Sequence, residues 1–388
     1  MNITPIILIT LEYPPDRGGI ARYLGSLVET SGGAIRVIVP EGAKIEGPGQ
    51  VDVAVFYRKQ WPTWFPLIRL CRSISNRSNT QLAGRSQGSA NTGEGGKTPP
   101  LQTPILLISH VLPVGTAAWI SRMLDGPEYA VLFHGTDVKR VEGMWKRWLL
   151  NRICRNAKAV FTNSRATMQD LRNIVPDIEV TVLTPGVSRE KCLTREEARI
   201  RLGIGPDEFL VVSVCRLVPR KGIDFSLRAI SKLQTHMPVR YVVIGNGPDL
   251  ERLEQVAKES RTVVTWILDA DDEEMHTWLA AADVFCLPGR NEKCDVEGFG
   301  ISYLEAAAAG IPSVAGRSGG AAEAVVDGNT GLVVDPDSIH DIAEAIEKLL
   351  KQGELRKQLG ENAKLRVLKD FRCEDRWLAL KSRLGIRS

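Results

Sequence analysis

The sequence predicts an α/β protein with two doubly wound parallel-sheet domains that face a cleft. Short apolar runs rich in β-branched residues alternate with helical patterns along the whole chain. This alternation is typical of parallel strands that helices cover on both sides. The pattern starts afresh near residue 209, and 388 residues exceed what one hydrophobic core usually serves. The cleft is expected because such sheets bind ligands beyond the carboxyl ends of their strands.

The first half contains seven predicted strands, at 5–11, 35–40, 51–57, 105–110, 129–135, 159–164 and 180–186. The second half contains six, at 209–216, 239–247, 262–268, 283–289, 311–316 and 330–335. Helical patterns such as "GIARYLGSLVE" and "RATMQDLRNIV" lie between strands. We therefore predict an N-terminal domain over 1–186 and a C-terminal domain over 187–370. A last helix over 371–388 is expected to pack back on the first domain.

Residues 73–100 are poor in apolar side chains and rich in Ser, Gly, Asn and Thr. Such a segment buries too little surface to offset the entropy that ordering removes. We predict a mobile loop inside the first domain, and we favour a solvated insertion over a substrate lid.

Composition excludes several classes of protein. A net charge of +4 is too small to indicate nucleic-acid binding. The seven cysteines form no C-x-x-C pair and no zinc pattern, and Cys215 and Cys286 lie in apolar runs typical of a core. The chain shows no signal-peptide pattern at its start and no run of about 18 apolar residues. These features predict a cytoplasmic protein.

Three stretches carry residues suited to a phosphorylated ligand. Gly18 and Gly19 stand between a strand and a helix, where backbone amides can approach an anion. The alternative there is a plain turn. Arg216 ends the first predicted strand of the second half and Lys221 follows five residues later, which suits a diphosphate. His134 lies at the carboxyl end of another predicted strand, where a structural histidine is the alternative.

Glu297 and Glu305, in "EGFGISYLE", are close in sequence but are not expected to act as an acid–base pair. Glycine is unfavourable inside a helix, so the helix should begin near Gly300 or Ile301 and end at Gly310. Glu297 then lies in the preceding loop, beside exposed amides, while Glu305 lies one turn inside and suits the vicinal hydroxyls of a ribose. Ser318, Gly319 and Gly320 offer further amides at another helix start.

Together these motifs resemble a retaining glycosyltransferase of family 4, with two Rossmann-like domains in the GT-B architecture. The resemblance covers nearly the whole chain. It is strongest from 216 to 331, where "RLVPRKGID", "VIGNGPD", "AADVFCLPG", "EGFGISYLEAAAAGIPSVAG" and "SGGAAEAVVDGNTG" follow in order. "GGIARYL" and "HGTDV" add matches in the first half. Leu268 departs from the pattern, which usually has glycine there.

The resemblance implies a role for each matching residue. Arg216 and Lys221 would bind the donor diphosphate, and Glu305 would hold the ribose. Glu297 would contact hydroxyls of the transferred sugar together with backbone amides, which belong to Gly298, Phe299, Gly300 and Ile301. Gly18 and Gly19 would approach the β-phosphate, and His134 would approach the sugar. The expected catalytic set is therefore Glu297, Arg216, Lys221 and His134.

The expected reaction transfers a hexose, with mannose as a candidate, from a nucleotide diphosphate sugar to an acceptor hydroxyl with retained anomeric configuration. We expect a lipid-linked glycan or glycolipid acceptor in cell-surface polysaccharide synthesis. The alternatives are a sugar-nucleotide epimerase of the same fold and a non-catalytic nucleotide-binding module. No metal or other cofactor is expected, since the D-x-D matches at 269–271 and 335–337 look like an acidic helix start and a turn.

Residues 57–77 interleave aromatic and aliphatic residues with Arg and Lys. Such a stretch can enter the headgroup boundary of a bilayer and contact anionic lipid. It predicts peripheral attachment to the inner face of the cell membrane and a lipid acceptor. The alternative is a helix packed in the core with a solvated basic edge.

Overall fold

The computed structural model describes residues 6–16, 18–43, 47–57, 64–83, 103–187, 193–292 and 297–386, with backbone only for 75–83. The chain forms two compact units. Unit 1 comprises Met1–Asn163, Thr167–Thr184 and Cys373–Ser388, and unit 2 comprises Ser164–Ala166 and Pro185–Arg372.

Unit 1 is built on a parallel sheet whose strands, within the described residues, run in the order β3-β2-β1-β4-β5-β6-β7. The strands are β1 (Ile6–Ile9), β2 (Ile35–Pro40), β3 (Gln50–Ala54), β4 (Ile105–Ile108), β5 (Tyr129–Phe133), β6 (Ala159–Thr162) and β7 (Thr181–Val182). β1, β4, β5 and β6 are buried along their whole length. Burial of both faces explains why these strands read as continuous apolar runs.

The helices of unit 1 are α1 (Gly19–Thr30), α2 (Phe65–Ala83), α3 (Thr116–Met123), α4 (Thr136–Lys139), α5 (Met144–Asn156), most of α6 (Arg165–Arg172) and the last helix, α15 (Cys373–Leu384). The kinked segment Val111–Gly115, in which Leu112 has non-helical backbone angles, leads into α3. Helix α15 packs against α1 within this unit.

Helix α2 corrects the prediction of a loop from residue 73, because the helix continues to Ala83. Its first half is anchored by Leu67, Ile68 and Cys71, which are buried in the core. Once a helix is nucleated, each further residue adds a hydrogen bond at little cost, even where the sequence is polar. Residues 84–100 of the predicted loop lie outside the described residues.

Unit 2 has a second parallel sheet, with the order β10-β9-β8-β11-β12-β13 among the described residues. Its strands are β8 (Phe209–Val214), β9 (Val239–Ile244), β10 (Val264–Ile267), β11 (Val284–Leu287), β12 (Ser313–Gly316) and β13 (Gly331–Val334). Cys215 and Cys286 are buried in its core, as predicted. Every predicted strand of both halves is therefore present, and the predicted α/β class with two doubly wound sheets is confirmed.

The helices of unit 2 are α7 (Arg195–Leu202), α8 (Ile223–Gln234), α9 (Leu250–Ser260), α10 (Asp272–Ala281), α11 (Ile301–Ala308), α12 (Ala321–Ala324), α13 (Ile339–Lys351) and α14 (Gly353–Asp370). A 3₁₀ turn, Pro219–Lys221, precedes α8. None of the helices in the described part of the chain is long and apolar enough to cross a membrane.

Strand order places a topological switch point in each sheet. In unit 1, the chain continues from β1 to β2 on one side and reaches β4 on the other. In unit 2, β8 has the same position between β9 and β11. Ligands of open α/β sheets bind where the loops after such neighbouring strands diverge. The residues that follow β1, β4, β8 and β11 are therefore the first to consider.

Candidate functional site

Arg216 and Lys221 follow strand β8 at the switch point of unit 2, but they lie in different surroundings. Arg216 is exposed, whereas Lys221 is buried at the end of the 3₁₀ turn. Gly222, with φ of 69°, caps helix α8, and a Cβ there would lie 2.2 Å from the carbonyl oxygen of Pro288. The glycine thus lets the loop after β8 pack directly on the loop after β11.

Glu297 brings the two loops together through a buried ion cluster. One oxygen, Oε2, accepts hydrogen bonds from Lys221 Nζ at 2.5 Å and from Arg220 Nη1 at 2.7 Å. Burial alone would raise the pKa of Glu297, but the charges of Lys221 and Arg220 lower it to about 2. The cluster therefore holds one carboxylate between two cations where an anionic ligand of this fold would sit. Arg220 was not among the residues predicted from the sequence, although it stands beside Lys221.

Two further residues fix the position of this cluster. Asp224, in the first turn of α8, accepts hydrogen bonds from Arg290 and Arg252. The backbone amide of Arg290 donates to the carbonyl of Arg220 at 2.8 Å. These contacts tie the loop after β11 to the 3₁₀ turn, so the two cations are held by backbone and side-chain bonds. The sequence shows that these residues are charged, but it does not show which of them pair with one another.

Glu297 and Glu305 occupy separate elements, as predicted. Helix α11 begins at Ile301 after Gly300, which has the left-handed φ of 86°, and ends before Gly310, where φ is 79°. Glu297 precedes the helix and Glu305 stands in its second turn. The two carboxylates do not follow one another along a single continuous helix.

The glycines at 319 and 320 serve packing, which differs from the expectation that they present amides to a ligand. A Cβ on Gly319 would lie 2.4 Å from the carbonyl oxygen of Glu297, and one on Gly320 would lie 2.3 Å from that of Gly298. The amide of Gly320 donates to the carbonyl of Glu297 at 2.9 Å. This loop therefore supports the backbone that carries Glu297.

In unit 1, His134 lies directly after β5 and is buried. Its Nε2 is 3.0 Å from Ser109 Oγ, and its backbone amide donates to Asp137 at 3.0 Å. Burial, and then the nearby His110, lower the pKa of His134 to about 3. The imidazole is therefore neutral at physiological pH and brings no positive charge to a ligand.

His110 and Glu12 join His134 at the switch point of unit 1. His110 Nδ1 accepts from the amide of Leu11 at 3.4 Å, and its Nε2 lies 3.8 Å from Glu12 Oε1. Gly18 precedes α1 as predicted, and a Cβ there would be 3.3 Å from Glu12 Oε2. An acidic group thus stands beside the glycine turn. His110 and Glu12 were not among the residues predicted from the sequence, although His110 ends the predicted strand 105–110 and Glu12 directly follows the predicted strand 5–11.

The D-x-D matches have structural roles. Asp271 caps α10 by accepting from the amide of Glu274 at 2.8 Å, and Asp335 accepts from the amide of Asp337 at 3.0 Å. Within the described ranges, no group of three or more His, Cys, Asp or Glu residues could hold a metal ion.

The low pKa of Glu297 predicts a pH dependence of stability. Because the folded pKa is below the usual 4.5, ionised Glu297 stabilises the fold above about pH 4.5. This contribution is lost as the pH falls from 4.5 toward 2. Urea unfolding should show wild type and Glu297→Gln differing most near pH 6, with the difference in unfolding free energy narrowing toward pH 3. Glu251→Gln, at an exposed position of α9, is the control. A difference that does not change with pH would contradict the ion cluster.

Comparison with known proteins agrees with this architecture. Residues 194–366 match the family Glycosyl transferases group 1, and residues 18–186 match the Glycosyl transferase 4-like domain. The GDP-mannose-dependent alpha-(1-6)-phosphatidylinositol monomannoside mannosyltransferase of Mycolicibacterium smegmatis is 32% identical over 89% of each chain. The D-inositol 3-phosphate glycosyltransferase of Corynebacterium jeikeium is 33% identical over 66% of this chain and 67% of that one.

Solved structures share the fold. The sucrose-phosphate synthase of Thermosynechococcus elongatus superposes with a TM-score of 0.76 at 22% identity, covering 98% of both chains. HepE of Anabaena, in complex with UDP and glucose, gives a TM-score of 0.75 at 17% identity over 98% of this chain and 99% of that one. The two parallel sheets, the order of the motifs and these matches together show that the chain belongs to the glycosyl transferases group 1 family and is a GT-B glycosyltransferase.

Proposed function

We propose that this glycosyltransferase moves mannose from GDP-mannose to an inositol phospholipid glycan, with retention of anomeric configuration. The observation that carries the proposal is the likeness to the Mycolicibacterium smegmatis mannosyltransferase, which extends over 89% of both chains. A Corynebacterium glutamicum mannosyltransferase that is named for a monoacylated acceptor of the same kind is 26% identical over 95% of this chain. Both names combine GDP-mannose with a phosphatidylinositol mannoside.

Unit 2 supplies the groups for the donor. Departure of the nucleoside diphosphate builds negative charge, and fixed cations stabilise such charge strongly in a site away from water. Lys221 and Arg220 are held in place by Glu297, and exposed Arg216 stands on the same loop. The diphosphate would compete with Glu297 for Lys221, which would free the carboxylate to accept from sugar hydroxyls. Glu305 would hold the ribose.

Unit 1 supplies neutral and backbone groups. Gly18 and Gly19 bring the amides of the first turn of α1 to the switch point, where they can bind a phosphate oxygen. Buried, uncharged His134 can exchange a hydrogen bond with a sugar hydroxyl without adding charge. We propose that the reaction needs no metal, since fixed cations take the role that Mg²⁺ or Mn²⁺ has in other phosphate chemistry.

The test incubates the purified protein with GDP-mannose, UDP-glucose, UDP-N-acetylglucosamine and UDP-galactose, each with and without a phosphatidylinositol mannoside acceptor. Of the four donors, only GDP-mannose should yield a mannosyl lipid, and only when the acceptor is present. NMR of the product should show the anomeric configuration of the donor. Turnover should persist in EDTA. Transfer only from a UDP sugar, an inverted product, or activity that requires Mn²⁺ would each overturn the corresponding part of the proposal. Conversion of the donor sugar into its epimer without acceptor would favour an epimerase, whereas slow hydrolysis of the donor would not.

A further inference from the structure

Helix α5 exposes large apolar side chains that the core of unit 1 does not use. Met144 is 89% exposed, Trp145 65% and Trp148 55%. The opposite side of the same helix, with Leu149, Leu150, Ile153 and Cys154, is buried in the core. Exposed tryptophans are unusual in an ordinary solvated surface, and clusters of them mark contact sites.

The charged residues of helices α2, α3 and α5 have one sign. Helix α3 packs against both α2 and α5. Together these three helices contain eight Lys and Arg residues and no Asp or Glu. On α5, Arg152 and Arg155 are exposed, and the Arg152 guanidinium lies 5.5 Å from the centre of the Trp148 ring. The α5 surface, defined as Met144, Trp145, Trp148, Arg152 and Arg155, thus combines apolar bulk with positive charge.

The position of this surface relates it to the site of unit 1. In a parallel α/β sheet, each crossover helix begins at the edge where the strands end. Met144 and Trp145 open α5, and Phe65, which is also exposed, opens α2. These side chains therefore lie at the same edge of the sheet as His134, which directly follows β5.

The stretch 57–77, which was predicted to contact a membrane, exposes Phe65 but buries other apolar side chains of its described part. Within that stretch, Leu67 and Ile68 are buried and Trp64 packs partly buried against the core. Arg69 and Arg72 are exposed, which fits a core-packed helix with a basic edge. Trp61, Arg58 and Lys59 lie outside the described residues. Among the described residues of unit 1, the tryptophans that are largely exposed are Trp145 and Trp148, both on α5.

We propose that the α5 surface docks unit 1 on an anionic lipid bilayer. Tryptophan rings favour the headgroup level, and each cation near an anionic leaflet adds about fivefold to binding. In a symmetric dimer, each α5 surface would face the α5 surface of the other copy. The cations of the two copies would then repel one another. The role of this docking rests on the proposed function, because docking would bring the site close to a lipid acceptor in the bilayer.

Co-sedimentation of the full chain with vesicles tests the proposal. At physiological salt, wild type should bind vesicles of phosphatidylcholine with phosphatidylglycerol, and bind phosphatidylcholine alone much less. Met144→Ser/Trp145→Ser should weaken binding at least about tenfold, as loss of buried apolar side chains does. Arg152→Gln/Arg155→Gln should weaken it about fivefold per cation removed.

The matched control is Ile200→Ser/Leu365→Ser, which removes equally exposed apolar side chains (82% and 66%) from helices α7 and α14 of unit 2. It should bind like wild type. Wild type that stays in the supernatant, or Met144→Ser/Trp145→Ser and Arg152→Gln/Arg155→Gln variants that bind like wild type, would overturn the proposal. Dimers in sedimentation velocity that the α5 variants abolish, without vesicle binding, would identify a self-association surface instead.

A spectroscopic measurement guards against misfolded variants. Brominated phosphatidylcholine mixed with phosphatidylglycerol should quench the tryptophan fluorescence of wild type. Trp145→Phe/Trp148→Phe should keep vesicle binding and lose most of the quenching, and persistent quenching would place the contact elsewhere. Because the vesicles contain neither donor nor acceptor, failure of mannose transfer leaves this result intact. If wild type hydrolyses the donor normally but does not bind vesicles, the docking proposal is wrong and the proposed function is unaffected.

Discussion

Replacing Lys221 with alanine is expected to lower kcat/KM for sugar transfer by at least about a hundredfold. Lys221 is buried after β8 at the switch point, where its ammonium lies 2.5 Å from Glu297 Oε2. A preorganised cation that stabilises charge on a leaving diphosphate is worth about a hundred- to a thousandfold in rate. Arg216→Ala should also lower kcat/KM strongly. Steady-state kinetics with the proposed donor, GDP-mannose, and the proposed lipid acceptor measure both effects.

The control for Lys221→Ala is Lys232→Ala, which removes an exposed lysine from the last turn of α8. It should leave kcat/KM close to wild type. Thermal unfolding of Lys221→Ala separates loss of chemistry from loss of fold, since Glu297 keeps Arg220 as a partner. Near-normal turnover in a folded Lys221→Ala enzyme would refute the diphosphate assignment.

Glu297→Gln extends this test, because Lys221 and Glu297 contact one another directly. Effects of residues in contact do not add. The double variant Lys221→Ala/Glu297→Gln should therefore lose less activity than the product of the two single losses. Strictly multiplicative losses would mean that the contact between Lys221 and Glu297 does not contribute to turnover.

Replacing Asp283 with alanine is expected to destabilise unit 2 by about 3–5 kcal/mol, the cost of removing one partner from a buried ion pair. Asp283 is 1% exposed, and its carboxylate lies within 2.7 Å of Arg195 and 3.3 Å of Arg199. It also accepts from the amide of Leu210 at 2.9 Å and lies 3.5 Å from Arg356. The variant would leave these donors without their shared acceptor.

Calorimetry of Asp283→Ala should show a loss of roughly 10 °C in Tm, given about 2–4 °C per kcal/mol for a unit of this size. The cluster stands before β11, at the edge of the sheet opposite the site. The folded fraction should therefore keep normal kcat. Glu273→Ala is the control, because its pair with Arg201 is solvent-exposed on both sides and such pairs contribute little. An unchanged Tm for Asp283→Ala would contradict the buried cluster.

The sequence alone determined the architecture and the separation of the two glutamates. Strands buried on both faces must be apolar throughout, so their positions are readable without knowledge of the fold. Gly300 and Gly310 bound helix α11 because glycine alone adopts left-handed φ readily, and this local rule placed Glu297 and Glu305 on different elements. The order of the motifs along the chain indicated the family. All these signals act within a few residues along the chain.

Only the tertiary structure decided which residues meet. Lys221 and Glu297 are 76 positions apart, and they pair because β8 and β11 are neighbours in the sheet. Asp283 likewise contacts arginines that are distant in sequence. The spacing of these residues in the sequence predicts neither this cluster nor the pair of Lys221 and Glu297. Helices α2 and α5 both combine aromatic and basic residues, yet Leu67 of α2 is buried while Trp145 of α5 is exposed. Composition gives a helix its amphipathic character, but the sheet beneath it determines which side chains remain in contact with solvent.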